Sequence, residues 1–130
     1  MLSRIAAVSG LYDFIVGALL LVAPDWLAAS FGVPAATPRI FSDLNGLFLV
    51  AVGAGYGLPW RDARRYRGYL WLMGPFLKGS GAIAFVLDYV LRGSPRSFLL
   101  FAASDGMLAL ITLIGLIVTR DDQEPTRVVP

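Results

Sequence analysis

Residues 70–92, LWLMGPFLKGSGAIAFVLDYVLR, form a run long and apolar enough to cross a bilayer, yet Lys78 stands near its middle. A spanning helix needs about 20 mainly apolar residues, and an ionisable group at its centre costs at least about 2.5 kcal/mol on insertion scales. A lysine at that depth calls for an acidic partner on a neighbouring helix, and the rest of the chain can be read for one.

The same apolar character extends over the whole sequence. Of 130 residues, 57% are hydrophobic and only 15% charged, where soluble domains carry about 25% charged residues; the mean hydropathy is +0.69. Spans are predicted at about 5–23, 39–58, 69–91 and 97–119, followed by a polar C-terminal tail at 120–130. Four such spans with short loops use the length of a single membrane domain. The expected fold is therefore all-α: a polytopic four-helix transmembrane bundle.

The chain has no cysteine and no histidine. Thiolate chemistry, zinc–thiolate sites, iron–sulfur clusters and c-type haem attachment need the first, and the usual haem ligand and default general base are the second. No metal or redox cofactor is expected; a bound lipid or quinone is compatible with the composition. Any chemistry must run on Asp, Lys, Arg, Tyr, Ser, Thr or Asn.

In the first span Asp13 interrupts the apolar run, which argues against a cleaved signal peptide, as does the lack of a clean small-x-small site. Pro24-Asp25-Trp26 ends it, and proline at a first turn predicts a short interfacial helix in PDWLAASFG. The second span is rich in small residues (Gly46, Ala51, Gly53, Ala54, Gly55, Gly57), which suit close approach of a neighbouring helix, from this chain or another copy. Pro75, three residues before Lys78, frees the carbonyl of Trp71 and predicts a kink. The N-terminus (Arg4), the loop Arg61, Arg64, Arg65 and Arg67, and the tail (Arg120, Arg127) carry seven basic residues against three (Arg39, Arg92, Arg96) on the other side. Both termini are thus expected in the cytoplasm, with lipid and not nucleic acid as the partner of the positive charge.

Each span holds one aspartate: Asp13, Asp43, Asp88 and Asp105. At about 1.5 Å rise per residue from the outer face, Asp43 and Asp88 lie roughly 6 Å deep, Asp105 about 12 Å, Asp13 about 15 Å and the Lys78 backbone about 21 Å. A lysine side chain covers the remaining difference to Asp13 or Asp105. This depth ordering divides the polar residues in two. The inner set is Asp13, Lys78 and Asp105, with Ser9, Tyr12 and Thr112 nearby; the outer is Asp43, Asn45 and Asp88 with Arg39, Arg92 and Arg96. In the outer set Asp88 and Arg92 are an i,i+4 pair, and the ordinary reading is ion pairing near an interface. For the inner set two readings stay open: a buried pair that fixes helix register, or a ligand site. Ser9, Asp13 and Gly17 share one helix face, and so do Gly74, Lys78, Gly81 and Phe85, and Asp105, Ala109 and Thr112. The small residues beside each charge leave either close helix contact or a small cavity.

The order of motifs, G-L-Y-D ending in P-D-W, then D-L-N-G-L-F, R-D-A-R-R-Y-R and a final S-D-G span, resembles the DoxX-like group of small four-helix bacterial membrane proteins. That resemblance implies an accessory membrane subunit linked to quinone or redox enzymes, and transfers no catalytic residue. Three functions are compatible with the sequence: an accessory or structural subunit, or lipid- or quinone-binding bundle, of a larger complex; a small proton-coupled transporter using Asp13 or Asp105; and an intramembrane isomerase or cyclase using aspartate as general acid. The first is preferred, and an enzyme is the less favoured reading.

Overall fold

The computed structural model describes residues 1–119, so the predicted tail at 120–130 lies outside the described residues. Four helical segments are long and apolar enough to cross a membrane, Leu2–Val22, Ile40–Arg61, Arg67–Arg92 and Arg96–Val118, and the described residues contain no strand. This is the all-helical, four-span architecture expected of a chain whose backbone polar groups must be satisfied within each apolar segment.

Local sequence sets where each segment stops or bends. Helix α1 (Leu2–Val22) ends where Pro24 begins α2 (Pro24–Ser30), with the proline in the first turn, where its missing N–H is harmless. The second span divides into α3 (Ile40–Gly55) and α4 (Gly57–Arg61). The break falls where Pro59 cannot donate to the Gly55 carbonyl one turn earlier. The third span is α5 (Arg67–Trp71), a π-helical stretch (Leu72–Lys78) and α6 (Gly79–Arg92). The disturbance expected at Pro75 thus takes the form of widened turns, a common way for a helix to absorb a residue that cannot join its ladder. Gly93 closes α6 at φ +72°, the left-handed conformation that favours glycine. A short 3₁₀ turn (Arg96–Phe98) leads into α7 (Leu99–Val118).

Two glycine pairs join α1 to α3. A Cβ added to Gly17 would stand 2.7 Å from the Gly46 carbonyl oxygen, and one on Gly46 would stand 2.9 Å from that of Gly17. Gly10 and Gly53 repeat the arrangement, at 2.9 and 2.7 Å. The members of each helix are seven residues apart, so both contacts fall on one face of an antiparallel pair. The small-residue face of the second span is therefore occupied, at Gly46 and Gly53, by α1 of the same chain. On the other side of the bundle, Gly74 of the π-helical stretch packs on the Thr112 methyl of α7, where a Cβ would come within 2.6 Å.

Toward the end of the bundle that carries Leu2 and Val118 the core is filled, with a surface pocket of about 370 Å³ outside it between the N-terminus and the loop at 61–67. Leu2, Ala6, Val52, Tyr56, Leu70 and Leu116 form its buried cluster, and the Tyr69 hydroxyl donates to the Val52 carbonyl at 2.7 Å. The Arg67 guanidinium donates to the Leu116 carbonyl and, at 2.9 Å, to Thr119 Oγ1. It thereby places a cation at the carbonyl end of α7, where the helix dipole is negative. Away from the core, large apolar side chains such as Leu44, Phe76, Ile83 and Leu110 face outward, as lipid contact requires.

Gly53→Val is expected to destabilise the fold by roughly 3 kcal/mol or more, because the two backbones cannot separate locally without losing the neighbouring contact. Gly68→Ala, where an added Cβ meets nothing within 4 Å, should leave stability unchanged or raise it by about 0.5 kcal/mol. Detergent-unfolding midpoints of the two variants distinguish these outcomes.

Candidate functional site

Lys78 ends the π-helical stretch and points across the bundle. Its ammonium donates to Asp13 Oδ1 of α1 at 2.5 Å and to Asp105 Oδ1 of α7 at 3.4 Å. The Tyr12 ring lies 5.0 Å from Nζ, within cation–π range. The structure thus unites Asp13, Lys78, Asp105 and Tyr12 at mid-depth. Lys78 and Asp13 side chains are each 4% exposed, whereas Asp105 is 19% exposed, so Asp105 is the member open to an incoming molecule.

Charge in the triad does not cancel. Two carboxylates share one ammonium, and Asp13 Oδ2 is buried without a hydrogen-bond partner. One turn from Asp13, Ser9 Oγ is also buried and unpaired. It lies close to the Tyr56 hydroxyl, but neither group achieves an acceptable hydrogen bond. Buried polar groups without partners are uncommon, and of these three residues only Asp13 lines the cavity that opens above the triad. Thr112, by contrast, is satisfied locally: its hydroxyl donates to the Leu108 carbonyl at 2.7 Å, and its methyl packs on Gly74.

Above the triad, toward the end opposite Leu2, the bundle opens into a cavity of about 380 Å³. Tyr12, Asp13 and Asp105 lie at its floor, with Ser42 and Asn45 on its wall. Lys78 does not line it; the lysine stands behind the carboxylates. Phe31, Phe85, Phe98 and Phe101 form an aromatic wall. Phe101 stacks on Phe31 at 4.7 Å between centroids and on Phe85 at 5.4 Å, and Phe98 meets Phe85 edge-on at 6.0 Å. Exposed Pro34 and Ala36, from the loop after α2, are at its rim. The α2 segment and its loop therefore cover a cavity that α1, α3, α6 and α7 surround.

The outer polar residues do not form one cluster. Arg39 and Asp43 approach to 4.0 Å along α3, while Arg92 pairs with Asp88 at 3.0 Å on α6. No ion pair links the two, and Arg96 joins neither. Ser94 donates to Asp88 and secures the turn after α6. Asn45 belongs to the cavity wall.

Sequence reasoning assembled the triad but not the aromatic wall. Phe98, Phe101 and Asp105 follow i, i+3, i+7 spacing, a signal of a shared face present in the sequence. Phe31 follows α2 and reaches the wall only through the fold, so no periodicity marks it. Ser104 was also missed: its Oγ pairs with the Tyr12 hydroxyl at 2.7 Å and so orients the ring beside Lys78. No family model matches this chain, and no curated protein or solved structure matches it either.

Lys78→Met leaves Asp13 buried without its cation and is expected to cost about 3–5 kcal/mol. Combining it with Asp13→Asn should recover a large part of that loss, since the buried charge is then removed with its partner. The double-mutant cycle, measured by unfolding in mixed micelles, gives the coupling directly.

Proposed function

We propose that this chain is a membrane-embedded binding protein that holds one small amphipathic molecule, its apolar body against the phenylalanines and its polar head at the Asp13–Asp105 floor. One observation carries this reading: the two carboxylates of the triad, which a purely structural ion pair would seal inside the bundle, line a cavity, and Asp105 is open to it. The volume of about 380 Å³ falls in the range of small-molecule pockets, and apolar walls with a few convergent polar groups are their usual lining. In the proposed setting, a bacterial inner membrane with both termini cytoplasmic, the pocket faces the periplasmic half of the bilayer. The motif order that resembles the DoxX-like group supports an accessory role beside a larger membrane complex.

A proton-coupled transporter is the second reading, favoured by carboxylates at the end of an open cavity. It requires passage beyond the triad, where Tyr56, Leu70 and Leu116 are almost completely buried. The closed core favours binding over passage. For an intramembrane isomerase or cyclase the geometry supplies no paired acid and base on opposite sides of a substrate: both carboxylates lie on the same floor beside one lysine.

Protein purified in mild detergent should carry a small apolar compound detectable by mass spectrometry of an organic extract. Ala28→Trp, which adds an indole to the cavity wall, should lose it while retaining the wild-type unfolding midpoint. A wild-type protein that isolates without any such compound, and takes none up from a lipid extract, would sink the binding reading.

A further inference from the structure

Hydrogen-bond roles on the cavity floor select among ligands, given the binding reading above on which this inference rests. Ser104 Oγ has one hydrogen, directed at the Leu100 and Phe101 carbonyls at 2.9 and 3.2 Å. Tyr12 must therefore be the donor in its 2.7 Å bond to Ser104, and its own hydrogen is committed. The Ser42 hydroxyl donates to the Leu20 carbonyl at 3.3 Å. Lys78 could supply donors, but it lies behind the carboxylates and directs them at Asp13 and Asp105. The polar side chains lining the cavity thus retain mainly acceptors. Asp13 Oδ2 has no partner, and Asp105 Oδ2 takes part in no hydrogen bond among the described residues, since only Oδ1 meets Lys78. Asn45, on the wall, is the one lining side chain with uncommitted N–H groups among the described residues.

Such a floor suits a molecule that brings hydrogens and a positive charge. With both carboxylates ionised, the one ammonium leaves a formal charge of −1, which a monovalent cation balances. A quinone offers only acceptors and would set its carbonyl oxygens against carboxylate oxygens. A carboxylate or phosphate ligand would add like charge in a poorly solvated site. The four phenylalanines above the floor accept an apolar or aromatic body, and their faces attract a cation during entry.

We propose that the cavity is a site for a primary or secondary organic ammonium ion carrying an aromatic or branched apolar group, with an N–H donated to Asp105 Oδ2 and the buried Asp13 carboxylate contributing its charge from behind. The ammonium takes the accessible acceptor that the fold leaves unmatched, and the aromatic wall encloses the remainder. Lys78 is then a positioning residue: it holds both carboxylates toward the cavity through their Oδ1 atoms and keeps the empty-site charge from rising to −2.

Isothermal titration of the full chain in mild detergent with 3-phenylpropylammonium, 3-phenylpropanol, 3-phenylpropionate and a short-chain quinone tests the assignment. The ammonium should bind at least about tenfold more tightly than the alcohol, as expected of charge-assisted hydrogen bonds, and the carboxylate and quinone more weakly still. Asp105→Asn, on the accessible carboxylate, should abolish most of that preference in a variant that still unfolds cooperatively, because Lys78 keeps its 2.5 Å bond to Asp13. Equal or tighter binding of the alcohol or quinone overturns the cation assignment and leaves the binding reading standing. Failure of all four probes to bind overturns both.

Discussion

An ammonium held in the middle of a membrane-spanning bundle constrains everything around it. Lys78 must meet a carboxylate, because a charge left alone in apolar surroundings costs more than the fold can offset. Asp13 meets it at 2.5 Å and Asp105 at 3.4 Å, so three of the four spans are tied at one depth. That tie dictates the local geometry of its neighbours. The π-helical turns at Leu72–Lys78 adjust the direction of the lysine, Gly74 lets α7 approach, and the glycine pairs of α1 and α3 hold Asp13 in place from behind. Removing the charge without its partner would release all of these at once.

The bundle is asymmetric along its axis. At one end Leu2, Tyr56, Leu70 and Leu116 belong to one buried cluster, and Arg67 fixes the carbonyl end of α7. At the other end four phenylalanines and the α2 segment surround an open volume. The triad lies at the boundary between the two regions. A buried salt bridge that only fixed register would do so equally well inside a packed core, where its desolvation is more complete and its geometry better defined. The position of the triad's carboxylates at the floor of a cavity is the observation on which the proposed ligand site rests.

Much of this was legible in the sequence, for identifiable reasons. Predominantly apolar runs of spanning length define four helices, since helices satisfy their own backbone in lipid. Depth arithmetic from a rise of about 1.5 Å per residue brings Lys78 to Asp13 and Asp105 and assigns Asp88 to Arg92. The remainder depends on tertiary placement. The direction of Lys78, away from the cavity with the carboxylates in front, follows from π-helical turns that a proline announces only as an irregularity. Phe31 joins Phe101 because the loop after α2 folds back over the bundle, which no local pattern encodes. The pairing of Gly10 with Gly53 and Gly17 with Gly46 is visible as a seven-residue spacing only once the two helices are known to be antiparallel.

Accessibility of the triad's surroundings is the most direct test of whether the ion pair locks a core or floors a site. The absence of native cysteine makes single-thiol labelling clean. Val16, beside the acids on the cavity wall, and Ala6, fully buried at the closed end, are each replaced by cysteine and exposed to a small water-soluble thiol reagent in the folded, reconstituted protein. Rapid modification of the Val16→Cys variant with protection of the Ala6→Cys variant is the expected result. Equal protection of both would contradict an open cavity above Lys78 and return the triad to a purely structural role.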